Sequence, residues 1–297
     1  MTQLIDGKAI AERVKSWVKE QVDELPSKPR LAVIQLGDNP ASAIYVKNKL
    51  NACRKVGIET ISAQLDLATS EDSLIELIHG FNDSPAFNGI LVQLPLPEGI
   101  NVRRVIETVI PEKDVDGFHP LNIGRLGVMS HDPYLHPCTP WGIVRMLDTV
   151  YPKKAGVSGL SGKRVVVIGQ SHIVGRPVSI MLQNEGATVV MCDVNTPDLM
   201  HEVKNADVIV SGTGVPNLIS EEMIEAVNNP DVTIIDAGIS KVDGQIVGDA
   251  SRDIYEKVGA ISPVPGGVGP VTIAFLIRNV FKAYCMQNGI KMKHLSS

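Results

Sequence analysis

This chain of 297 residues predicts two α/β domains, each organised on a parallel sheet. Three observations carry that expectation. Segments with a strand period and segments with a helical period alternate in two separate series. A long irregular stretch from Pro95 to Pro140 divides the series, and the length exceeds what one small hydrophobic core serves.

The first series opens with a helix over residues 7–25, where Ile10, Val14, Val18 and Val22 recur at helical spacing. Arg30 to Leu36 (RLAVIQL) reads as a buried strand. Helix-like SAIYVKNKLNACRKVG, strand-like ETISAQLDL, helix-like SEDSLIELIHGF and the strand GILVQL at 89–94 follow, an order that gives parallel βαβ units. The stretch from Pro95 to Pro140 is rich in Pro, Gly, Asp, His and Asn and shows little periodicity. It is long for an inert connection, so it is expected to carry function, with the domain linkage after it. The second series starts at Lys163. It reads as strand RVVVIG, helix IVGRPVSIMLQNEG, strand ATVVMC, helix PDLMHEVKNA, strands DVIVSG and VTIIDAG, and a short return near Ala260. A closing helix over about 270–287 is expected to pack back on the first domain.

A net charge of -5 argues against a nucleic-acid or anionic-membrane surface, because both need a basic footprint. A small soluble substrate fits better. Cys53, Cys138, Cys192 and Cys285 are widely spaced with no CxxC pair, which indicates reduced thiols rather than a zinc cluster or a disulfide framework. The N-terminal MTQLIDGKAIAERVK is polar and no run of 18 apolar residues occurs, so a signal peptide or membrane span is not expected and a cytoplasmic location is.

Four motifs suggest chemistry. In Val264-Pro265-Gly266-Gly267-Val268-Gly269-Pro270, glycines permit close approach of a ligand while prolines stiffen the path; a tight structural turn is the other reading. Strand RVVVIG runs into GQSHIVG (169–175), which places Gly169 at a turn and Gly175 at a helix start, the geometry that receives a pyrophosphate. The spacing is GxSxxxG rather than GxGxxG, so a plain βα turn stays open. Asp193, 24 residues past Gly169, is placed either to accept from both adenosine ribose hydroxyls or to cap a helix from 196 onward. Tyr45 and Lys49 share one face of a helix that opens after Asn39-Pro40-Ala41-Ser42, where Lys49, among Lys47, Arg54 and Lys55, also reads as an ordinary solvated lysine, and Gln93 ends an apolar strand where α/β sheets bind ligands or simply face water. Asp114 and Asp116, in PEKDVDGFHP, could bind a metal, cap a turn or grip a polar heterocycle, with no His or Cys at ligand spacing in favour of the metal. His119, His136 and His172 lie near these motifs and read more readily as structural.

Taken in order, SAIYVKNKL, GILVQLPLP, PEKDVDG, PCTP (137–140), GxSxxVGxP and PVPGGVGP resemble the methylenetetrahydrofolate dehydrogenase/cyclohydrolase enzymes of one-carbon metabolism. The resemblance spans nearly the whole chain. It implies a folate-binding catalytic domain over 1–140, completed by a C-terminal helix at about 272–297, and a Rossmann-like NAD(P)-binding domain over 141–271. It also implies a cleft between the domains and a homodimer formed through the dinucleotide domain. The implied reaction oxidises 5,10-methylenetetrahydrofolate with a nicotinamide cofactor, then hydrolyses the 5,10-methenyl product to 10-formyltetrahydrofolate without a metal, a step that feeds purine biosynthesis. By the family pattern Lys49 is the catalytic amine, Tyr45 stacks on the folate, Gln93 orients Lys49, and Asp116 holds the amino-pyrimidine edge of the pterin. Val92, Leu94, Pro265, Gly266 and Gly267 would complete the substrate contacts. Gly169, Gln170, Ser171, Val174, Gly175, Asp193, Val194, Gly214, Ile239, Gly269 and Thr272 would line the cofactor. A lysine enclosed beside a cationic methenyl substrate has its charged form disfavoured by desolvation and by repulsion, so it can exchange protons near neutral pH.

The chain departs from the family pattern where a 2'-phosphate would sit. Gln170 stands in place of the usual arginine of GRS, and Asp193-Val194 follow Cys192 where a His followed by Ser or Arg is common. Loss of one favourable charge and gain of a repulsive one predicts NAD preference by about two to three orders of magnitude, with Arg176 the nearby cation that could reverse it. A monofunctional NAD-dependent dehydrogenase would be expected to alter Lys49, and a non-catalytic folate or dinucleotide sensor would need a broken catalytic set. Lys49, Tyr45, Gln93 and Asp116 are all present.

Overall fold

A computed structural model describes residues 1–37, 39–132 and 134–293. In chain order its elements are β1 (Gln3–Leu4), α1 (Gly7–Asp23), β2 (Arg30–Leu36), α2 (Pro40–Lys55), β3 (Glu59–Leu65), α3 (Glu71–Asp83), β4 (Gly89–Val92), α4 (Val102–Thr108), α5 (Pro120–Gly127) and α6 (Cys138–Leu147). There follow β5 (Arg164–Ile168), α7 (Gly175–Asn184), β6 (Thr188–Cys192), α8 (Leu199–Val203), β7 (Val208–Ser211), α9 (Glu221–Glu225), β8 (Thr233–Asp236), β9 (Ser240–Val242), β10 (Gln245–Val247), β11 (Ala260–Ile261) and α10 (Val268–Gln287). The contacts divide them into two compact units, one of residues 12–138 with 273–297 and one of residues 1–11 with 139–272.

The first unit is a three-stranded parallel sheet in the order β3-β2-β4. Its central strand is buried from Leu31 to Leu36, so the apolar run Leu31 to Ile34 is continuous rather than alternating. Ile34, Leu36, Leu74, Ile78, Ile90, Val105 and Val109 form a core between this sheet and α3 with α4. The part of α10 in this unit packs as expected. Phe281 meets Trp17 edge to face, the Tyr284 hydroxyl bonds Ser27, and Gln287 bonds Asn88.

The second unit carries a six-stranded sheet, β1-β11-β8-β7-β5-β6, parallel throughout. The first residues are assigned differently by the sequence and by the structure. Residues 1–11, placed with the first domain by the sequence, hydrogen-bond into the second sheet, where Gln3 and Leu4 pair Ala260 and Ile261. Two residues are too short a strand for periodicity to reveal. The stretch from Pro95 to Pro140 also holds more order than its composition suggests. Helix α4 starts where the Asn101 side chain accepts from the Arg104 N–H, and α5 where His119 Nδ1 accepts from the Leu121 N–H ahead of Pro120. Residues 294–297, the tail of the closing segment, lie outside the described residues.

Candidate active site

In the first unit Lys49, Gln93 and Asp116 come together from three places in the chain, with Tyr45 one helical turn from Lys49. The Asn39 carboxamide accepts from the Ser42 N–H at the start of α2, and one turn of that helix separates Tyr45 from Lys49. Strand β4 ends at Val92, so Gln93 sits just beyond it, its own N–H still bonded to the Ile34 carbonyl. That backbone bond aims the side chain. Gln93 Nε2 donates to the Leu94 carbonyl at 2.5 Å, which leaves Oε1 to accept from Lys49 Nζ at 3.0 Å. The expected pairing of Gln93 with Lys49 is therefore present, and Gln93 does not merely face water.

The two aspartates play different parts. Asp114 is a turn cap: Oδ1 accepts from the Gly117 N–H at 3.1 Å, and Oδ2 accepts from the His119 N–H at 2.7 Å and the Asn122 side chain at 2.9 Å. Gly117 takes φ +77, and a Cβ there would stand 2.4 Å from the His136 carbonyl carbon, so only glycine fits this turn. Asn279 of α10 braces the other side, donating to the carbonyls of Val115 and His136. Asp116 is thereby held between two anchored segments. Burial pushes its carboxyl above the usual range, the Lys49 charge opposes that rise, and Asp114 adds to it. Val92, Leu94, Asp114, Asp116 and Phe118 line one small opening. Burial likewise raises the Tyr45 phenol.

In the second unit the candidate nucleotide-binding residues lie at the carboxyl ends of β5, β7 and β8. Gly169 takes φ +93, and a Cβ on it would lie 2.9 Å from the Gly212 carbonyl oxygen. A Cβ on Gly175 would lie 1.7 Å from the Gly169 carbonyl oxygen, so the turn closes only with glycine at both positions. Helix α7 begins at Gly175 with no side-chain cap from Val174 before it, while the Ser171 hydroxyl accepts from the Val174 N–H at 3.1 Å. An uncapped helix start beside a tight glycine turn fits a pyrophosphate. Val194 is 99% exposed and Ile239 47% exposed, and Gly214 takes φ +72 in the loop after β7. The loop of Pro265 to Gly267 is pinned, since Arg252 donates to the Val264 carbonyl and the Gly267 N–H to Pro263. It packs so closely on Gly7 that a Cβ there would meet the Gly267 oxygen at 1.9 Å. Gly269 lies in the first turn of α10, and the Thr272 hydroxyl bonds that of Thr139 at 3.0 Å. Asp193 lies one residue past β6 and accepts from the Asn195 N–H, while α8 is capped by Asp198 instead.

Residues 5–116 match the tetrahydrofolate dehydrogenase/cyclohydrolase catalytic domain, and residues 137–288 match the NAD(P)-binding domain of the same family. The chain belongs to the tetrahydrofolate dehydrogenase/cyclohydrolase family. It is 46% identical to the bifunctional protein FolD of Methanosphaerula palustris, over 96% of this chain and 98% of that one. The bifunctional FolD enzyme of Campylobacter jejuni superposes with a TM-score of 0.88 at 41% identity, over 95% and 98% of the two chains. The Trypanosoma brucei dehydrogenase-cyclohydrolase, solved with NADP and an inhibitor, matches with a TM-score of 0.86 at 31% identity, over 96% and 98%. As a member of this family the chain is a bifunctional enzyme of folate metabolism: it oxidises 5,10-methylenetetrahydrofolate with NAD(P) and hydrolyses the methenyl product to 10-formyltetrahydrofolate.

Sequence reasoning passed over some residues that shape these sites. Asn279 sits mid-helix among apolar neighbours, and Asp236 and Asp249 end or follow strands without a recognisable motif. A buried amide or carboxylate in an otherwise apolar run was the available signal, because such a group is retained only with partners.

Proposed function

We propose that Lys49, oriented by Gln93, carries the hydrolytic step on a folate held by Asp116 and Tyr45, and that the enzyme uses NAD in preference to NADP. The hydrogen bond between Lys49 Nζ and Gln93 Oε1 is the observation that carries the first half. The Gln93 carboxamide fixes the position of the amine through that bond. The Asp116 carboxylate has no side-chain partner among the described contacts of its turn, and it is matched to two N–H donors of an amino-pyrimidine. When bound, the nicotinamide supplies the acceptor for the hydride that leaves the methylene carbon. Water then adds to the methenyl cation, Lys49 moves its proton, and the bond from that carbon to N5 breaks to leave the formyl group. The reading calls for no metal.

Three features support NAD. The Gln170 side chain folds back, its Nε2 donating to the Val167 carbonyl at 2.9 Å, so it does not reach outward as an arginine would. Val194 offers a phosphate nothing, and the exposed Asp193 carboxylate repels one. Arg176 is the opposing group, exposed and holding the Gln170 carbonyl through Nε. The test is kcat/KM for methylenetetrahydrofolate oxidation with NAD and with NADP. A ratio above unity for NAD is expected, and a ratio favouring NADP would assign the phosphate to Arg176. The same reading includes a cytoplasmic homodimer formed through the nucleotide-binding unit. Strand β6 is the sheet edge, and the exposed Met191 and Val194 at its end suit a second copy of this chain.

A further inference from the structure

The nucleotide-binding unit contains two adjacent carboxylates deep in its interior. Asp236 is 1% exposed and Asp249 0% exposed, and neither forms an ion pair among the described residues. A buried charge without a counter-charge persists only where several donors converge on it. Here six do. Asp249 Oδ2 accepts from the Ser211 hydroxyl at 2.7 Å, the Thr213 N–H at 2.7 Å and the Thr213 hydroxyl at 2.8 Å. Asp236 Oδ1 accepts from the N–H groups of Gly238 at 2.9 Å and Asp249 at 3.0 Å, and Oδ2 from that of Ala250 at 2.8 Å.

The donors come from three segments, the ends and loops of β7 and β8 and the stretch after β10 that holds Asp249 and Ala250. Ser211 and Asp236 end the neighbouring parallel strands β7 and β8, in register with each other. Beyond Ser211 the chain runs through Gly212, Thr213 and Gly214, and beyond Asp236 through Gly238 and Ile239. Both loops therefore leave the sheet at its carboxyl edge, beside the Gly169 turn, where nucleotides bind in such folds. Each carboxylate also fills the space a side chain would need on the facing segment. A Cβ on Gly238 would lie 1.9 Å from Asp249 Oδ1, and one on Gly248 would lie 2.0 Å from Asp236 Oδ2.

We propose that Asp236 and Asp249 are positioning residues for the dinucleotide: an interlocked carboxylate pair that sets the shape of the loops after β7 and β8. They touch no cofactor themselves. The inference rests on the reading that Gly214 and Ile239 face the nucleotide. It goes beyond that reading by assigning the loop geometry to these two buried side chains.

The bifunctional enzyme supplies its own control, because hydrolysis of the methenyl substrate needs no nucleotide. In Asp249→Ala the three donors on Oδ2 lose their acceptor, and KM for the preferred nucleotide is expected to rise about tenfold or more while cyclohydrolase kcat/KM stays within about twofold. The amide variants then separate positioning from simple charge. Asp249 uses only one oxygen, its Oδ1 having no partner among the described residues, so Asp249→Asn can keep every bond and rescues nucleotide KM to within about threefold. Asp236 uses both oxygens, so Asp236→Asn must set an NH2 against a backbone N–H and raises nucleotide KM about tenfold. Equal effects of the two amide variants, an unmoved nucleotide KM in Asp249→Ala, or a parallel loss of cyclohydrolase in Asp249→Ala and Asp236→Asn would each overturn the proposal. Ile239→Ala distinguishes the two layers. If it raises nucleotide KM while Asp249→Ala does not, the positioning role alone fails; if it leaves KM unchanged while Asp249→Ala raises it, only the contact assigned to Ile239 falls.

Discussion

Gly175→Ala separates the two activities. The added methyl would stand 1.7 Å from the Gly169 carbonyl oxygen and 3.0 Å from the Gln170 Cα. Ordinary carbon–oxygen contact requires about 3.3 Å, so backbone must yield by about 1.5 Å. The yielding atom cannot swing away as a side-chain tip would. It belongs to the turn at Gly169, which holds φ +93 and whose own Cβ space is closed by Gly212. A displacement of this size at a phosphate-binding turn corresponds to a loss of about a hundredfold in dehydrogenase kcat/KM, chiefly through nucleotide KM. Lys49, Gln93 and Asp116 lie in the other unit, so cyclohydrolase kcat/KM is expected to remain within about threefold. The assay follows both reactions by absorbance, reduced nicotinamide for one and loss of the methenyl chromophore for the other. Unchanged nucleotide KM in the variant would refute the reasoning, because it would mean that the Gly169 turn can move freely without reaching the nucleotide.

Three further outcomes follow from other parts of the molecule. Gly117→Ala forces an L-residue to φ +77 against the His136 carbonyl and is expected to cost about 2 kcal/mol or more in chemical denaturation while raising folate KM, since Asp116 adjoins it. Burial pushes Asp236 up to about 6 from its ordinary 3.8, so the native state holds this proton more tightly than the unfolded chain. That contribution is complete below about pH 4 and is lost as pH rises through about 6, a change of about 3 kcal/mol in the wild type that Asp236→Asn lacks; urea melts on both sides of the window measure it. All four cysteines are buried, with Cys53 pushed up to about 12 and Cys285 to about 11 by burial, so the native enzyme should resist a thiol reagent at neutral pH until it unfolds. Rapid labelling of the native protein would contradict that.

The regular parts of the fold were legible because periodicity reports burial. Leu31 to Ile34 and Val165 to Ile168 are buried and read as continuous apolar runs, and the helices over 7–23 and 268–287 fall close to their predicted spans. What escaped was short or tertiary. Strand β1 has two residues and acquires its place only by pairing β11, and α4 and α5 are too brief for a helical period to show. The residues proposed for catalysis were legible as a set of motifs, and the structure joins two of them through the hydrogen bond between Lys49 and Gln93. Local chemistry at Asp114 and Asp193 was not decidable from residue type, because a carboxylate that caps a turn and one that meets a ligand look alike in sequence. The Asp236–Asp249 pair was invisible for the opposite reason: its meaning lies in the 13-residue separation closing across two strands' ends, which no local pattern encodes.

The central claim is tested most directly by Lys49→Met, with methylenetetrahydrofolate and saturating nucleotide in a single cuvette. The account predicts that reduced nicotinamide still forms while the methenyl chromophore accumulates, because oxidation proceeds and hydrolysis has lost its amine, a fall of about a hundredfold or more in cyclohydrolase rate. A variant that forms reduced nicotinamide and clears the methenyl species at the wild-type rate would contradict the account and remove Lys49 from the hydrolytic step.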